Sequence, residues 1–341
     1  MKRKARLKDI AEALNISTTT VSRALNNKED ISDKTKRAVL EVAKLLNYRP
    51  NYFAKSLHQS ESHFIGAIVP RVNHSFYAQM IDGILSEAEA HGYVVLLAES
   101  MDQNINEKRC IDEFLNINIA GLIIAPAYDS DILRGVEIEG IDKQKVVICD
   151  RSSNEVEYTQ ITNDHIEGAY QATVHLIQQG YKNVGHIKGL ANDKIADDIH
   201  AGYTKAITEF SLIPSCYQLK EVAPEESYLA MKSLVESNDL DAVLTVSDEA
   251  ALGVYRYCYD QNIRVPDEMA VVGYSNAKFS QYLTPSLSTV DQRSRQIGIK
   301  AIEMLSMSQR HSSNNNIQTF SSSLIIRESS NRTNYESSHK S

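Results

Sequence analysis

Apolar positions follow two different rules along the chain. Over the first fifty residues they recur at helical spacing; from about residue 62 they gather into continuous runs separated by amphipathic stretches. The segment "LKDIAEAL" sets Leu7, Ile10, Ala11 and Leu14 on one face, which predicts a helix. Asn15-Ile16 interrupts it, and Ser17 is a residue whose hydroxyl can cap the helix that follows. That second helix, "TTTVSRAL", places Val21, Ala24 and Leu25 on one side and leaves Thr18, Thr19, Ser22 and Arg23 largely on the other. Asn26-Asn27 ends it. Ser32 then caps a third helix with a stripe of Ala38, Val39, Val42, Leu45 and Leu46. Two short helices joined by a tight turn, with a third closing their core, form a helix-turn-helix layout.

The next stretch, "YRPNYFAKSLHQSES", predicts a helix of about two turns, too short to be stable alone. Phe53, Ala54 and Leu57 would share one face. An exposed Leu there is wasteful unless a partner buries it, as a DNA minor groove does with a side-chain wedge; the bland alternative is a plain interdomain linker. Beyond it the apolar runs "HFIGAIVP", "YVVLLAE", "AGLIIAP", "KVVICD", "NVGHI", "DAVLTV" and "MAVVGY" alternate with helical stretches. Continuous apolar strands between helices predict parallel sheets covered on both faces. The expected fold is α/β. A three-helix domain over 1–49 and a hinge helix with linker over 50–61 precede a two-lobed body over 62–330 with two parallel sheets. The first lobe is expected at about 62–162 plus 292–330, where "SSSLIIRES" would return as a strand, and the second at about 163–291. The polar tail 331–341 is expected to be disordered.

Ligands of open α/β sheets bind beyond the carboxyl ends of the strands. The residues there include His74 to Tyr77, Asp150-Arg151, Asn163-Asp164, Ser247-Asp248 and Ser275-Asn276. Aromatic, acidic and amide groups suit a polyhydroxylated or heterocyclic small molecule. Asp150, Asp164 and Asp248 are equally able to cap the turns and helices that follow them.

Charge sharpens the picture. The chain of 341 residues has a net charge of -8, but residues 1–60 hold 13 Lys and Arg against 6 Asp and Glu. That segment is +7 and the remainder, with 23 basic and 38 acidic residues, is −15. A basic head on an acidic body points to a polyanion partner at one end. No apolar run approaches the ~20 residues of a membrane span, and the basic start lacks an apolar leader core. Cys110, Cys149, Cys216 and Cys258 are far apart, with no metal-ligand or redox spacing. Together these features lead to the expectation of a cytoplasmic protein. There is no GxSxG, Walker A loop, HExxH or glycine-rich dinucleotide fingerprint, so no catalytic residue, cofactor or metal ligand is assigned.

"LKDIAEALNISTTTVSRALNN", "YRPNYFAKSL", "HFIGAIVP", "NDHIEGA", "VSDEAALG", "VPDEMAVVGYSN", "LTPSLSTVDQ" and "LIIRESS" follow one another in this order. In these motifs the sequence resembles the lactose-repressor (LacI/GalR) family of bacterial transcription regulators, from Leu7 to about Ser330. The resemblance implies a repressor, most plausibly of carbohydrate-use genes, that binds a pseudo-palindromic operator in double-stranded DNA as a homodimer. It implies a body like the periplasmic sugar-binding proteins, with a small-molecule effector, a sugar or sugar derivative, between the lobes. DNA contacts would fall to Ser17, Thr18, Thr19, Thr20, Ser22, Arg23, Asn26, Ser32, Tyr48, Asn51, Lys55 and Leu57, with Leu57 entering at the operator centre. Effector contacts would fall to Phe76, Tyr77, Asp150, Asp164, Asp248, Ser275 and Asn276.

The chain departs from the family pattern at three places. Many relatives have Asp-Asn where it has Asp164-His165, and a double Asp where it has Ser275-Asn276. Relatives often carry an effector-gripping Arg at the position of Ile199, and a guanidinium fork is a strong anchor for hydroxyls or carboxylates. The tetramerising leucine heptads are absent after Ser330, which implies a dimer. The competing readings are a solute-binding protein, a regulator answering to a nucleoside or purine, and a two-domain α/β enzyme.

Overall fold

The computed structural model describes residues 5–25, 27–28, 30–48, 62–237, 239–308 and 317–332. The chain divides into two compact units, Met1–Ser62 and His63–Ser341.

The first unit contains α1 (Leu7–Leu14), α2 (Thr18–Leu25) and α3 (Asp33–Leu45). Asn15 ends α1 in the left-handed conformation at φ +50°, which turns the chain at once into α2. Ile10, Ala11, Val21, Ala24, Val39 and Ala43 form the core. The expected stripe of α3 is partly corrected. Ala43 belongs to the core, whereas Leu45 is 81% exposed and Leu46 40%. Counting from Val39, the inward face runs through Val42 and Ala43, and Leu45 lies about 240° around the helix from that start.

The second unit holds two six-stranded sheets. The first consists of β1 (Phe64–Val69), β2 (Val94–Glu99), β3 (Gly121–Ile124), β4 (Val146–Cys149), β5 (Thr159–Asn163) and β11 (Ile317–Phe320), in the order β11-β5-β4-β3-β1-β2, all parallel. The second consists of β6 (Val184–Lys188), β7 (Ser215–Gln218), β8 (Ala242–Thr245), β9 (Ala270–Tyr274), β10 (Ser288–Asp291) and β12 (Ser323–Ile325), in the order β12-β10-β9-β8-β6-β7. Only β12 runs antiparallel to its neighbour in that sheet. The two strand orders reverse at β1 and at β6, which places a topological switch point in each lobe.

The covering helices are α4 (Ser75–Ala90), α5 (Asn104–Asn116), α6 (His165–Gln178), α7 (Lys194–Glu209), α8 (Pro224–Ser237), α9 (Asp248–Asp260) and α10 (Ser294–Ser308). α10 returns to the first lobe and lies against α4. Gly83 and Gly298 permit the close approach: a Cβ on Gly83 would lie 2.1 Å from the Arg295 carbonyl oxygen, and one on Gly298 2.1 Å from that of Met80.

The connection between lobes differs from the sequence expectation in one respect. The segment 292–330 does not return as a whole to the first lobe. β11 pairs with β5 there, and two residues later β12 pairs with β10 in the second sheet. The chain therefore passes between lobes three times, after β5, after β10 and after β11.

Candidate functional site

In the head, Ser17 caps α2: its Oγ accepts the Thr20 N–H at 3.0 Å and lies 2.9 Å from the Thr20 hydroxyl. Thr18 and Thr19 are exposed beside it, Ser22 and Thr20 are half-buried, and no acidic residue occupies the first turn. The positive end of the helix dipole is thus unopposed, the arrangement that accepts phosphates or base edges. Arg23, from the last turn, is engaged with Asp30 at 2.8 Å. Ser32 caps α3 through the Thr35 N–H at 3.2 Å. Tyr48 packs against the small core, half-buried. Asn26, Asn51, Lys55 and Leu57, the expected hinge helix and residues 333–341 of the tail lie outside the described residues.

The body's site is built at the strand ends. Tyr77, on the first turn of α4, donates its hydroxyl to Asp150 Oδ2 at 2.9 Å. Asp150 follows β4 with φ +74°, a left-handed conformation that Asp tolerates better than most residues. It is 3% exposed, and burial raises its pKa to about 7 against the nearby Arg151, which lowers it.

Arg151 is the centre of the arrangement. Its Nη1 donates to Asp102 Oδ1 at 3.1 Å and to the Pro126 carbonyl at 2.7 Å, and Nη2 donates to Asp193 Oδ2 at 3.1 Å. The longer contacts are Nε to Asp193 Oδ1 at 3.4 Å and Nη2 to Asp102 Oδ2 at 3.5 Å. Asp102 follows β2 in the same lobe, whereas Asp193 precedes α7 in the other. The ion pair with Asp193 therefore bridges the lobes. Two further bonds do so: Ser75 N–H to Glu249 Oε1 at 3.1 Å, and Gln79 Nε2 to the Ser275 carbonyl at 3.2 Å.

The other expected effector residues are placed differently from one another. Phe76 is 3% exposed and belongs to the first lobe's core, with its ring edge-on to Tyr77. Asp164 is exposed and caps α6 through the Glu167 N–H at 2.9 Å. Asp248 is fully buried, with both oxygens taken by the protein: Thr289 Oγ1 donates to one at 2.6 Å and the Ala277 N–H to the other at 2.6 Å. Asp248 thus holds the turn that carries Ser275 and Asn276, and burial raises its pKa to about 7. Contact of Asp248 with an effector is the sequence expectation that this geometry opposes, because no acceptor is left facing the cleft. Ser275 has φ +115° and a buried Oγ with no partner, and Asn276 Oδ1 accepts from Arg327 Nη2 at 2.9 Å.

Asn163 Oδ1 and both ring nitrogens of His165 are also buried without partners. Burial lowers the His165 pKa to about 4, so its ring is neutral. The site assignment from sequence omitted Arg151, Asp102, Asp193, Glu249 and His165. Arg151 and His165 were signalled by their places just after strands; the others come from loops and a helix that no pattern connects to them. No group of three or more His, Cys, Asp or Glu residues able to hold a metal occurs among the described residues.

A helix-turn-helix head followed by two parallel-sheet lobes with polar groups gathered between their carboxyl edges defines the class: a DNA-binding module joined to a periplasmic-binding-type body. Residues 6–51 match the family model of bacterial regulatory proteins, lacI family, and residues 62–328 that of periplasmic binding proteins and the sugar binding domain of the LacI family. The chain belongs to the LacI family, whose members are DNA-binding transcriptional repressors and not enzymes. It is 32% identical to the probable HTH-type transcriptional repressor ExuR of Bacillus subtilis (strain 168), over 88% of this chain and 90% of that one. Its identity to the HTH-type transcriptional repressor PurR of Edwardsiella ictaluri (strain 93-146) is 29%, over 88% and 89%. In fold it resembles the Lac repressor bound to ONPG in the repressed state, with a TM-score of 0.86 and 24% identity, covering 96% of this chain and 100% of that one. A complex of the transcriptional regulator CelR with cellobiose aligns with a TM-score of 0.70 at 22% identity, over 96% and 100%.

Proposed function

We propose that this repressor binds an inverted-repeat operator as a homodimer, and that a small polyhydroxylated molecule, a sugar or sugar derivative, held between the lobes sets its grip on DNA. The observation that carries the reading is the set Tyr77, Asp150, Arg151 and Asp193 at the strand ends, because it ties the two lobes together where a ligand would enter. A ligand that binds the closed and open arrangements unequally shifts the balance between them by that difference and no more. Through the hinge segment, such a shift changes the spacing of the two heads on DNA, with Leu57 of each chain wedged in the minor groove between them.

The chemistry favours hydroxyl groups over a flat base. Carboxylates, hydroxyls and amides ring the cleft, while Phe76 and Tyr77 are packed into the lobe core and offer no open face for stacking. Dimerisation through the body is supported by the edge strand β2, where Val94 is 46% and Leu97 44% exposed, with Leu85 and Met101 also exposed. Apolar groups along an open sheet edge invite a partner.

The test is operator selection from a random duplex pool, followed by anisotropy titrations with a panel of sugars and nucleosides. An enriched inverted repeat whose affinity changes with a sugar is expected. No preference for any sequence over random DNA at ordinary ionic strength would overturn the reading, and a response to nucleosides alone would replace the effector class.

A further inference from the structure

A guanidinium in a sugar-binding-type cleft is ordinarily the place where an acidic ligand would be anchored, because its fork matches carboxylate and phosphate oxygens. In this chain the fork is already occupied. Arg151 is 7% exposed, and Asp102 and Asp193 face it from two sides with the Pro126 carbonyl between them. Two carboxylates against one guanidinium, with Asp150 beside them, leave the lining short of positive charge.

The two carboxylates are not equivalent. Asp102 is fixed to the Arg151 lobe, where its Oδ1 also accepts the Tyr128 N–H at 3.0 Å. Asp193 comes from the opposite lobe, is 15% exposed, and caps α7 through the Ile195 N–H at 3.1 Å. It therefore fills the half of the fork that would otherwise face the cleft. No other cation compensates near the start of α7. Lys194 is paired with Asp198 at 2.7 Å, and Lys188 with Asp197 at 2.6 Å. Ile199, at the position where the family resemblance implies an arginine, is 1% exposed in the second lobe's core. The unpartnered buried groups nearby, Ser275 Oγ, Asn163 Oδ1 and neutral His165, can be satisfied by hydroxyls or amines without any charge on the ligand other than a positive one.

We propose that Asp193 is a specificity-determining residue that keeps anionic molecules out of the cleft, so that the effector is an uncharged or amine-bearing polyhydroxyl molecule and not a uronate or a phosphate ester. This rests on the cleft being the effector site. An anion can reach Arg151 only by displacing Asp193, and it then meets Asp102 and Asp150 with one of its counter-charges already used. Removing Asp193 opens the fork.

The experiment uses the full chain, with inorganic phosphate and galacturonate as probes at constant ionic strength, read by thermal shift and calorimetry. Asp193→Ser keeps an N-capping hydroxyl on α7 but does not reach Arg151. Neither probe is expected to bind the wild type measurably. Asp193→Ser is expected to gain affinity for both by about tenfold or more, the size of one recovered charge-assisted contact. The double variant Asp193→Ser with Arg151→Gln should lose that gain. Should Asp193→Ser fail to fold, Asp193→Asn keeps the shape and is expected to show a smaller gain in the same direction.

The proposal is overturned if the wild type binds galacturonate or phosphate as tightly as the variant does, or if a folded Asp193 variant gains nothing. Failure of operator selection would instead strike the repressor reading. The phosphate comparison does not depend on DNA, so the two failures are distinguishable.

Discussion

Glu249 caps a helix in the opposite lobe: its Oε1 accepts the backbone N–H of Ser75 at 3.1 Å, at the start of α4. His74, which occupies the N-cap position, makes no side-chain cap of its own. The orphan amide at this helix start is thus satisfied only while the lobes are together. Glu249→Ala should lower the stability of the body by about 1 kcal/mol, the usual worth of a cap, with Glu249→Gln losing less. Urea unfolding of the three proteins checks this. Equal midpoints would show that solvent replaces Glu249 without cost.

Arg23 carries a competing partner into any encounter with DNA, since it is held by Asp30 at 2.8 Å with both side chains half exposed. Arg23→Ala should weaken operator binding by roughly ten- to a hundredfold and relax specificity at one base pair, if Arg23 reads a base. Asp30→Asn should strengthen binding to all duplexes, because the guanidinium no longer has to leave a carboxylate. Anisotropy titrations against operator and random DNA separate these outcomes; a uniform loss for Arg23→Ala would reassign it to a phosphate.

Leu57→Ala should reduce operator affinity while leaving the thermal stability of the free protein nearly unchanged, since a wedge is buried only in the complex. Unchanged operator affinity would dismiss the wedge.

Asp150 makes stability depend on pH in a stated direction. Its pKa rises from 3.8 to about 7 on folding, chiefly through burial. The folded state therefore holds a proton that the unfolded state has released between these values. The associated stabilisation is complete below the unfolded pKa and is lost as pH rises through about 7. Asp150→Asn cannot titrate, so the stability of the wild type relative to this variant should fall between pH 5 and pH 8. Asp248 shifts in the same direction, and the comparison with Asp150→Asn removes its contribution because it is present in both proteins. Urea midpoints that run parallel across this range would place the Asp150 pKa at its ordinary value.

What could be read in the chain is what local patterning dictates. The core strands β1, β3, β4, β8 and β9 are continuous apolar runs because both faces are covered, and their helices follow from spacing and caps such as Ser17 and Ser32. The helix-turn-helix is local in the same way, since its turn needs only Asn15 and a capping Ser. The short strands β5, β10 and β11 contain "TQITN", "STVD" and "IQTF", which carry no such run. They lie where the chain passes between lobes, and their pairing partners, not their composition, make them strands. The split of the last segment between the two sheets was illegible for the same reason. The placing of Asp193 and Asp102 on Arg151, and of Glu249 on Ser75, belongs to the tertiary structure alone. These partners are 42, 49 and 174 residues apart, and a side chain's reach is a few ångströms. Periodicity reports which face of an element is buried; only the packing of one lobe against the other decides which charges meet across the cleft.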